Sequence, residues 1–242
     1  SGIEQLQTLN EQLIRTEKLA AMGTLAAGVA HEVNNPLASI SSLIQMMQSK
    51  QNLDEKTTEN LKLILTQINR ITRVTKDMMD FARVRPAAKS RIDINEIIKT
   101  SLRLASFDKS FQKLMQIHYL NENLPKVFAD SDQLQQVFLN LFLNARDAMP
   151  EGGELCIKTV HNNGEVQIKI TDSGIGIDQK EVKKIFDPFF TTKTAGKGTG
   201  LGLAVCYGII TAHGGKIEVF ANENKGTTFL ISLPSNDKTE DN

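Results

Sequence analysis

The chain lacks several features that would each indicate a particular class of protein. Its 28 lysine and arginine residues equal its 28 aspartate and glutamate residues, so net charge gives no reason to expect nucleic acid or an anionic membrane as a partner. Its apolar runs are too short to span a bilayer, and no secretory signal opens the chain. The two cysteines, Cys156 and Cys206, have neither C-x-x-C spacing nor clustered histidines, so they do not indicate a metal site. Free thiols fit a reducing cytoplasm, which is the predicted location.

Glycine is scarce in the first part of the chain, since thirteen of the sixteen glycines follow Pro150. This asymmetry predicts an α+β protein in which a helical module precedes a mixed helix and strand module. The predicted domains are residues 1–86 and 87–235, followed by a polar, disordered tail at 236–242. Ser1-Gly2 resembles a cloning remnant, so we expect the chain to be a fragment of a longer parent.

Apolar residues at spacings of three and four predict a helical hairpin in the first module. The first helix is predicted over residues 3–49 and the second ends before Pro86, with Asn52 as the N-cap between them. The predicted seam of the first helix is Met22, Leu25, Val29, Val33, Ile40, Leu43 and Met47. The predicted seam of the second is Leu61, Leu65, Ile68, Ile71, Thr75, Met78 and Ala82. One hairpin would leave much of this apolar surface exposed to solvent, so we expect a homodimer with a four-helix bundle. The alternative is a monomeric hairpin packed on the second module.

The second module alternates between strand and helix patterns. Strands are predicted at residues 91–94, 116–120, 154–160, 165–171, 216–221 and 227–233. Helices are predicted at residues 95–107, 131–149 and 201–212. Asp130 or Ser131 is the predicted cap of the middle helix.

The run from Ala30 to Ile40 carries the most informative residues of the hairpin. His31 and Asn35 lie four apart and share a helix face, and Glu32 follows the histidine directly. Pro36 has no backbone N–H, so the helix can bend beside the histidine. His31 is predicted to point outward, as a nucleophile requires. The alternative is an ordinary surface histidine on a bent helix.

Three features of the second module suggest a nucleotide site, although each has a simpler explanation. Asn140, Asn144 and Asp147 form a polar stripe on an apolar helix, which suits either a ligand or an inter-helix hydrogen-bond network. The run from Asp172 to Gly176 follows a strand and suits either a purine amino group or a plain turn. The run from Gly196 to Gly202 opens the last helix with N–H groups suited to phosphate, preceded by Lys193; the alternative is a disordered surface loop.

The order of these features resembles the sensor histidine kinases of two-component signalling, and most of all the nitrogen-regulation type. The resemblance is carried by what look like the H box (His31 to Pro36), the N box (Asn140 to Ala148), the G1 box (Asp172 to Gly176), the F box (Asp187 to Phe190), the G2 box (Gly198 to Gly202) and the run Gly226 to Phe229. It implies a dimeric phosphotransfer hairpin followed by a Bergerat-type (GHKL) α/β sandwich that binds ATP.

The family also implies roles for individual residues. His31 is the implied phosphoacceptor, Glu32 orients it and accepts its proton, and Asn35 positions water for the reverse, phosphatase reaction. Asn144 is the implied Mg²⁺ ligand. The implied contacts with ATP are Asn140, Asn144, Asp147, Asp172, Gly174, Gly176, Lys193, Lys197, Gly198, Thr199, Gly200, Leu201, Gly202 and Thr228.

The implied activity is autophosphorylation of His31 by ATP, followed by transfer to an aspartate of a response-regulator receiver domain. The implied parent carries an upstream sensor domain and can be anchored to a membrane through upstream segments. Two other functions share some of these features. One is an ATPase of the gyrase–chaperone superfamily, which uses water as acceptor. The other is a non-enzymatic dimeric scaffold that binds nucleotide and a receiver domain.

Overall fold

The computed structural model describes residues 29–30, 32–49, 53–82, 87–193, 198–222 and 225–235. The chain divides into two compact units. The first comprises Ser1–Arg85 and Pro188–Gly202, and the second comprises Pro86–Asp187 and Leu203–Asn242. The predicted domain limits differ in placing residues 188–202 with the second module, and the predicted tail at 236–242 lies outside the described residues.

The first unit contains a helical hairpin. Helix α1 is helical at residues 29–30 and 32–48, and α2 spans Glu55–Ala82. The N-cap of α2 is Asp54, so the predicted cap at Asn52 is wrong. The Asp54 Oδ1 accepts from the Thr57 backbone N–H at 2.8 Å, and its Oδ2 accepts from the Thr57 hydroxyl at 2.6 Å. The predicted first turns of α1, at residues 3–28, lie outside the described residues.

The buried seam of the hairpin differs from the predicted one on α1. The buried cluster contains Leu37, Ile44, Leu61 and Ile68, with Val33, Leu53 and Leu65 packed against it. By contrast, Val29, Ile40, Leu43 and Met47 are between 43% and 59% exposed in the single chain, as expected for an apolar stripe that one hairpin leaves partly uncovered. By the 3.6-residue repeat, the buried seam lies roughly 60° around α1 from the predicted stripe. Periodicity detects the whole apolar arc of α1, and the hairpin buries only one edge of it.

The second unit follows the predicted alternation of strands and helices, with two additional elements. The strands are β1 (Ser90–Ile92), β2 (Leu114–Tyr119), β3 (Val127–Ala129), β4 (Gly153–Asn162), β5 (Glu165–Asp172), β6 (Lys216–Ala221) and β7 (Thr227–Pro234). The helices are α3 (Ile94–Ala105), α4 (Ser131–Ala148) and α5 (Gly202–Ala212), with a 3-10 turn at Phe111–Lys113. The short strand β3 and the 3-10 turn were not predicted, and β1, which is equally short, ends at Ile92 instead of the predicted Ile94, where α3 begins.

The main sheet is mixed and has five strands in the order β2-β4-β5-β7-β6. The β2–β4 pair is parallel and the other neighbouring pairs are antiparallel, while β1 and β3 form a separate antiparallel pair. Asn163 and Gly164 both have positive φ, at 51° and 75°, as a two-residue hairpin turn between β4 and β5 requires. This topology confirms the predicted fold class, a helical region followed by an α/β sandwich.

Helix α4 supplies much of the core and also carries the polar stripe. Asp130 caps it, because its Oδ1 accepts from the backbone N–H groups of Asp132 and Gln133 at 3.0 Å each. Phe138 and Phe142 are completely buried, with ring centroids 6.4 Å apart. Because these rings are buried and α4 contacts both α3 and β5, the position of its polar stripe relative to the sheet is fixed.

Candidate nucleotide-binding site

Asp172 is the last residue of β5, the central strand of the sheet, and the residue is buried with 5% of its surface exposed. Its Oδ1 accepts from the Gly174 backbone N–H at 2.9 Å and from the Thr227 backbone N–H at 3.2 Å. Burial raises the pKa of this carboxyl above its ordinary value, and the two N–H donors oppose that shift. Oδ2 accepts no hydrogen bond from the described part of the chain, so it can accept one from a ligand donor.

The loop after Asp172 packs closely against the end of α4. The Ile175 N–H donates to the Ala148 carbonyl at 3.1 Å. A Cβ on Gly174 would lie 2.7 Å from both the Cβ and the carbonyl oxygen of Ala148, so only glycine fits there without displacement. Gly176 has a φ of 80°, which side-chain-bearing residues rarely adopt. These glycines hold the loop beside the last turn of α4, one turn beyond Asn144.

Thr227 lies on the same sheet face as the Asp172 carboxylate, whereas Thr228, which the resemblance implies as an ATP contact, does not. Residues directly opposite in an antiparallel pair share a sheet face, and the register pairs Asp172 with Thr227 and Thr171 with Thr228. The Thr228 hydroxyl lies 3.0 Å from that of Thr171 and donates to Asn222 Oδ1 at 2.8 Å. The side chain of Thr228 is therefore on the opposite face. Sequence spacing missed this because a shift of one residue along a strand reverses the face.

The polar stripe of α4 is partly engaged within the protein. The Asn140 Nδ2 lies 3.9 Å from the Cys206 Sγ, and Arg146 donates through Nε to Asp147 Oδ1 at 2.8 Å. Arg146 also donates through Nη1 to Asp108 Oδ2 at 2.7 Å. Asp108 itself accepts from two backbone N–H groups, and those bonds, led by that of Phe111, hold its pKa below the ordinary range. The sequence did not indicate this contact, because Asp108 and Arg146 are 38 residues apart.

The glycine-rich run belongs, up to Gly202, to the first unit. Within it, Gly200 has a φ of 69°, and a Cβ there would lie 2.4 Å from the backbone of Phe189. Phe189 also has a positive φ, of 65°. The backbones of Phe189 and Gly200 are therefore in close contact. Lys193 is described at the backbone, where its N–H donates to Thr191 Oγ1 at 3.2 Å, and Lys197 lies outside the described residues.

The aromatic residue before this run is anchored in the second unit. Phe186 is buried, and its ring centroid lies 5.7 Å from that of Tyr207 on α5. Such tilted aromatic pairs add to the stabilisation gained from burial. The packing of Phe186 therefore fixes the position of the chain just before this run.

The histidine predicted as phosphoacceptor, His31, lies outside the described residues. Its neighbours Glu32 and Asn35 are both exposed on α1, and the helix continues through Pro36. The predicted outward direction of His31 stays a prediction.

A cavity of about 540 Å³ lies on the reverse face of the same sheet. It is lined by Glu154, Cys156, Thr171, Asp172, Ser173, Ala221, Asn222 and Lys225. Cys156 and Thr171 are directly paired and alternate with Asp172 along the strands, so the cavity lies on the face opposite the Asp172 carboxylate.

Among the described residues, no group of three or more histidine, cysteine, aspartate or glutamate side chains is placed to hold a metal ion. No helix in the same part of the chain has the length and apolar character needed to cross a membrane.

Comparison with known proteins agrees with this geometry. The profile described as "Histidine kinase-, DNA gyrase B-, and HSP90-like ATPase" matches residues 129–237, and the profile "His Kinase A (phospho-acceptor) domain" matches residues 21–87. The chain is 38% identical over 230 residues to the sensor histidine kinase ZraS of Escherichia coli (strain K12), covering 95% of this chain and 49% of ZraS. It therefore spans about half the length of this curated relative.

Solved structures show the same relationship. The catalytic domain of the histidine kinase ThkA is 34% identical, with a TM-score of 0.55, and the match covers 61% of this chain and 95% of that domain. ThkA in complex with the response regulator protein TrrA is 28% identical, with a TM-score of 0.66, over 96% of this chain and 67% of that one. With a phosphoacceptor domain preceding an ATP-binding domain, this chain belongs to the sensor histidine kinases of two-component systems.

Proposed function

We propose that this chain is an ATP-dependent protein-histidine kinase that phosphorylates its own His31 and passes the phosphoryl group to an aspartate of a response regulator. The observation that carries the proposal is the Asp172 carboxylate. Asp172 is buried, and its Oδ1 accepts hydrogen bonds from two backbone N–H groups, which leaves Oδ2 to accept one from a ligand. The same chain carries a phosphoacceptor domain. The domain limits proposed for these two functions are residues 1–86 and 87–235.

Asp172 is proposed to bind the adenine ring. An exocyclic amino group is a hydrogen-bond donor, and an accessible carboxylate oxygen without a protein donor is the matching acceptor. Gly174 and Thr227 orient the carboxylate through their backbone N–H groups, and Gly176 keeps the loop close to the last turn of α4. The proposal takes Thr227 in place of Thr228 as the threonine on this face.

The phosphate tail is proposed to bind at the α4 stripe and the glycine-rich run. Asn140, Asn144 and Asp147 offer amide and carboxylate oxygens, which suit Mg²⁺, and Asn144 is the proposed ligand. When bound, Mg²⁺ neutralises charge on the transferring phosphoryl group. Lys193 and Lys197 are proposed to contribute positive charge, and the backbone amides of Gly198, Thr199, Gly200, Leu201 and Gly202 are proposed to donate to phosphate oxygens.

The chemical step is proposed to form a bond between a ring nitrogen of His31 and the γ-phosphorus, while the bond from that phosphorus to the bridging oxygen of ADP breaks. The imidazole must be neutral to attack, because protonation removes the ring lone pair that bonds to phosphorus. Glu32 accepts the ring proton in this proposal, and Asn35 positions water for the reverse, phosphatase reaction. Catalysis by this chain is then mainly positioning and charge neutralisation.

The assembly is proposed to be a homodimer with a four-helix bundle. On α1, Leu43 and Met46 are 59% and 65% exposed, and on α2 Leu63 is 62% exposed, in addition to Ile64 and Ile71. An apolar surface of this kind on both helices is characteristic of an unfilled helix–helix interface. A response-regulator receiver domain is the proposed partner, as ThkA is found with TrrA. The proposal also includes an upstream sensor domain, a cytoplasmic location for this fragment and a membrane anchor in the parent.

The test is labelling with γ-labelled ATP and Mg²⁺ in the wild type, in His31→Gln and in the matched control His118→Gln, an exposed histidine on β2. We expect acid-labile label in the wild type and the control and none in His31→Gln, with EDTA abolishing the signal. Label retained in His31→Gln would assign another acceptor. Release of inorganic phosphate without protein label would identify a water-dependent ATPase, and nucleotide binding without either product would identify a scaffold.

A further inference from the structure

The buried seam of the hairpin contains one polar side chain, Thr75, that is 3% exposed. It lies on α2, one heptad beyond Ile68 of the apolar cluster. The Thr75 hydroxyl donates to the Asn34 Oδ1 at 2.5 Å and lies 3.0 Å from the carbonyl of Thr72 on its own helix. A threonine in an apolar seam is tolerated because its hydroxyl is satisfied by these acceptors.

The contact between Thr75 and Asn34 joins the two helices. Every other side-chain hydrogen bond in the described part of the hairpin joins residues three or four apart. They run from Ser39 to Asn35, Ser42 to Ala38, Ser49 to Met46, Thr57 and Thr58 to Asp54, and Thr66 to Lys62. Apolar contacts tolerate small rotations and shifts, whereas a buried hydrogen bond between helices requires one register.

Asn34 lies within the H box, between Glu32 and Pro36. Because Pro36 has no N–H, the carbonyl of Glu32 has no helical partner four residues later, although α1 continues through this turn. The turn is therefore held by fewer backbone hydrogen bonds than the rest of α1. This turn resists rotation about the α1 axis less than the rest of α1 does. A hydrogen bond from α2 therefore has its largest effect on orientation at this turn.

We propose that Thr75 is a positioning residue for the phosphoacceptor turn. Through its hydrogen bond to Asn34 it fixes the rotation of the H box about the axis of α1, and so the orientation of the residues proposed to carry phosphorylation and dephosphorylation. The inference rests on the proposed kinase function and assigns Thr75 no contact with ATP. Its loss is expected to lower kcat for autophosphorylation while leaving KM for ATP unchanged.

The variants are Thr75→Val, which replaces the hydroxyl with a methyl of similar size, Thr75→Ser, which keeps the hydroxyl, and Thr66→Val. Thr66 is the matched control because it is an exposed threonine on α2 whose hydroxyl bonds only to its own helix, at the Lys62 carbonyl. We expect kcat of Thr75→Val to fall at least about tenfold, since small displacements of reacting groups have effects of that order. Thr75→Ser and Thr66→Val should remain within about twofold of the wild type, with KM for ATP unchanged in all three.

Amide hydrogen exchange provides a readout that does not depend on activity. Exchange of the backbone amides at residues 37–40, just beyond Pro36, should accelerate in Thr75→Val and not in Thr66→Val or Thr75→Ser. Wild-type kcat and exchange in Thr75→Val would overturn the inference. Equal loss in Thr75→Val and Thr75→Ser would also overturn it, because packing and not the hydroxyl would then be responsible. A wild type that binds ATP but forms no phosphohistidine would refute the proposed function, while faster exchange in Thr75→Val would still support the Thr75–Asn34 contact.

Discussion

Replacing Asp172 with asparagine tests the nucleotide site at its most specific atom. Asparagine keeps an oxygen that can accept from the N–H groups of Gly174 and Thr227, so the local fold is retained. The second carboxylate oxygen becomes an NH₂ group, which is a donor. An adenine amino group that meets Oδ2 in the wild type would then meet another donor.

The magnitude follows from the type of hydrogen bond that is lost. A hydrogen bond to a charged acceptor contributes about 1.5–3 kcal/mol, which corresponds to a Kd about 10- to 150-fold higher for Asp172→Asn. Asp178→Asn is the matched control, because Asp178 is an exposed carboxylate in the loop that follows, where it accepts from the Lys180 N–H. That variant should bind ATP as the wild type does.

The assay is calorimetric titration with ATP and with purine riboside triphosphate, which lacks the amino group. The wild type should prefer ATP by about the same 10- to 150-fold factor, and Asp172→Asn should lose that preference. Wild-type affinity for ATP in Asp172→Asn, or an unchanged preference between the two nucleotides, would refute the role assigned to Oδ2.

The same variant has an expected effect on the nucleotide-free protein. Because burial raises the folded-state pKa of Asp172 above its unfolded value, the folded protein binds this proton more tightly, and stability contributed by the group falls as pH rises between the two values. Above that interval the buried charge is destabilising. Asp172→Asn should therefore have a Tm at pH 7.5 no lower than the wild type, and the wild type should gain stability relative to the variant as pH falls towards the ordinary aspartate pKa of about 4. The opposite trend would show that the charge stabilises the fold.

Two further predictions concern the phosphoacceptor helix and the thiols. Asn35→Ala should weaken dephosphorylation of the partner regulator more than autophosphorylation, as measured by the two initial rates, with Ser39→Ala as a control on the same helix face; equal loss of both would contradict the assigned role. Burial raises the pKa of the Cys206 thiol to about 12, so at pH 8 its thiolate fraction is of order 10⁻⁴. The native protein should therefore titrate one thiol rapidly with a disulfide reagent, at the half-buried Cys156, and labelling of Cys206 at a similar rate would show that α5 opens readily.

The elements that were predicted correctly are those with a strong local signal. The α4 helix combines an N-cap at Asp130 with a long apolar face, and the β4–β5 hairpin has the Asn163-Gly164 turn that its geometry requires. Such signals depend on residues a few positions apart. The same is true of the spacing of Asn140, Asn144 and Asp147, which places them on one face of a helix wherever that helix packs.

The burial of α1 and the face that β7 presents depend on partners that are distant in sequence, whereas the cap of α2 is decided locally. The apolar arc of α1 does not show which edge faces α2 within one chain, so it did not show that Val29, Ile40, Leu43 and Met47 stay exposed in a single hairpin. The sequence offered Asn52 as the N-cap of α2, and the structure shows that the loop continues to Asp54, which caps the helix. The choice between Thr227 and Thr228 depended on the pairing of β7 with β5.

The order of residue types along the chain was sufficient to identify a phosphoacceptor helix followed by a nucleotide-binding sandwich, because helix periodicity, caps and glycine turns act over a few residues. Tertiary structure decided which polar groups are already engaged. It directed Arg146 to Asp108, placed two N–H donors on one oxygen of Asp172, and buried Thr75 against Asn34. These contacts join residues between 38 and 55 positions apart, apart from the local Gly174 bond, and their existence follows from how helices and strands pack, which no local pattern specifies.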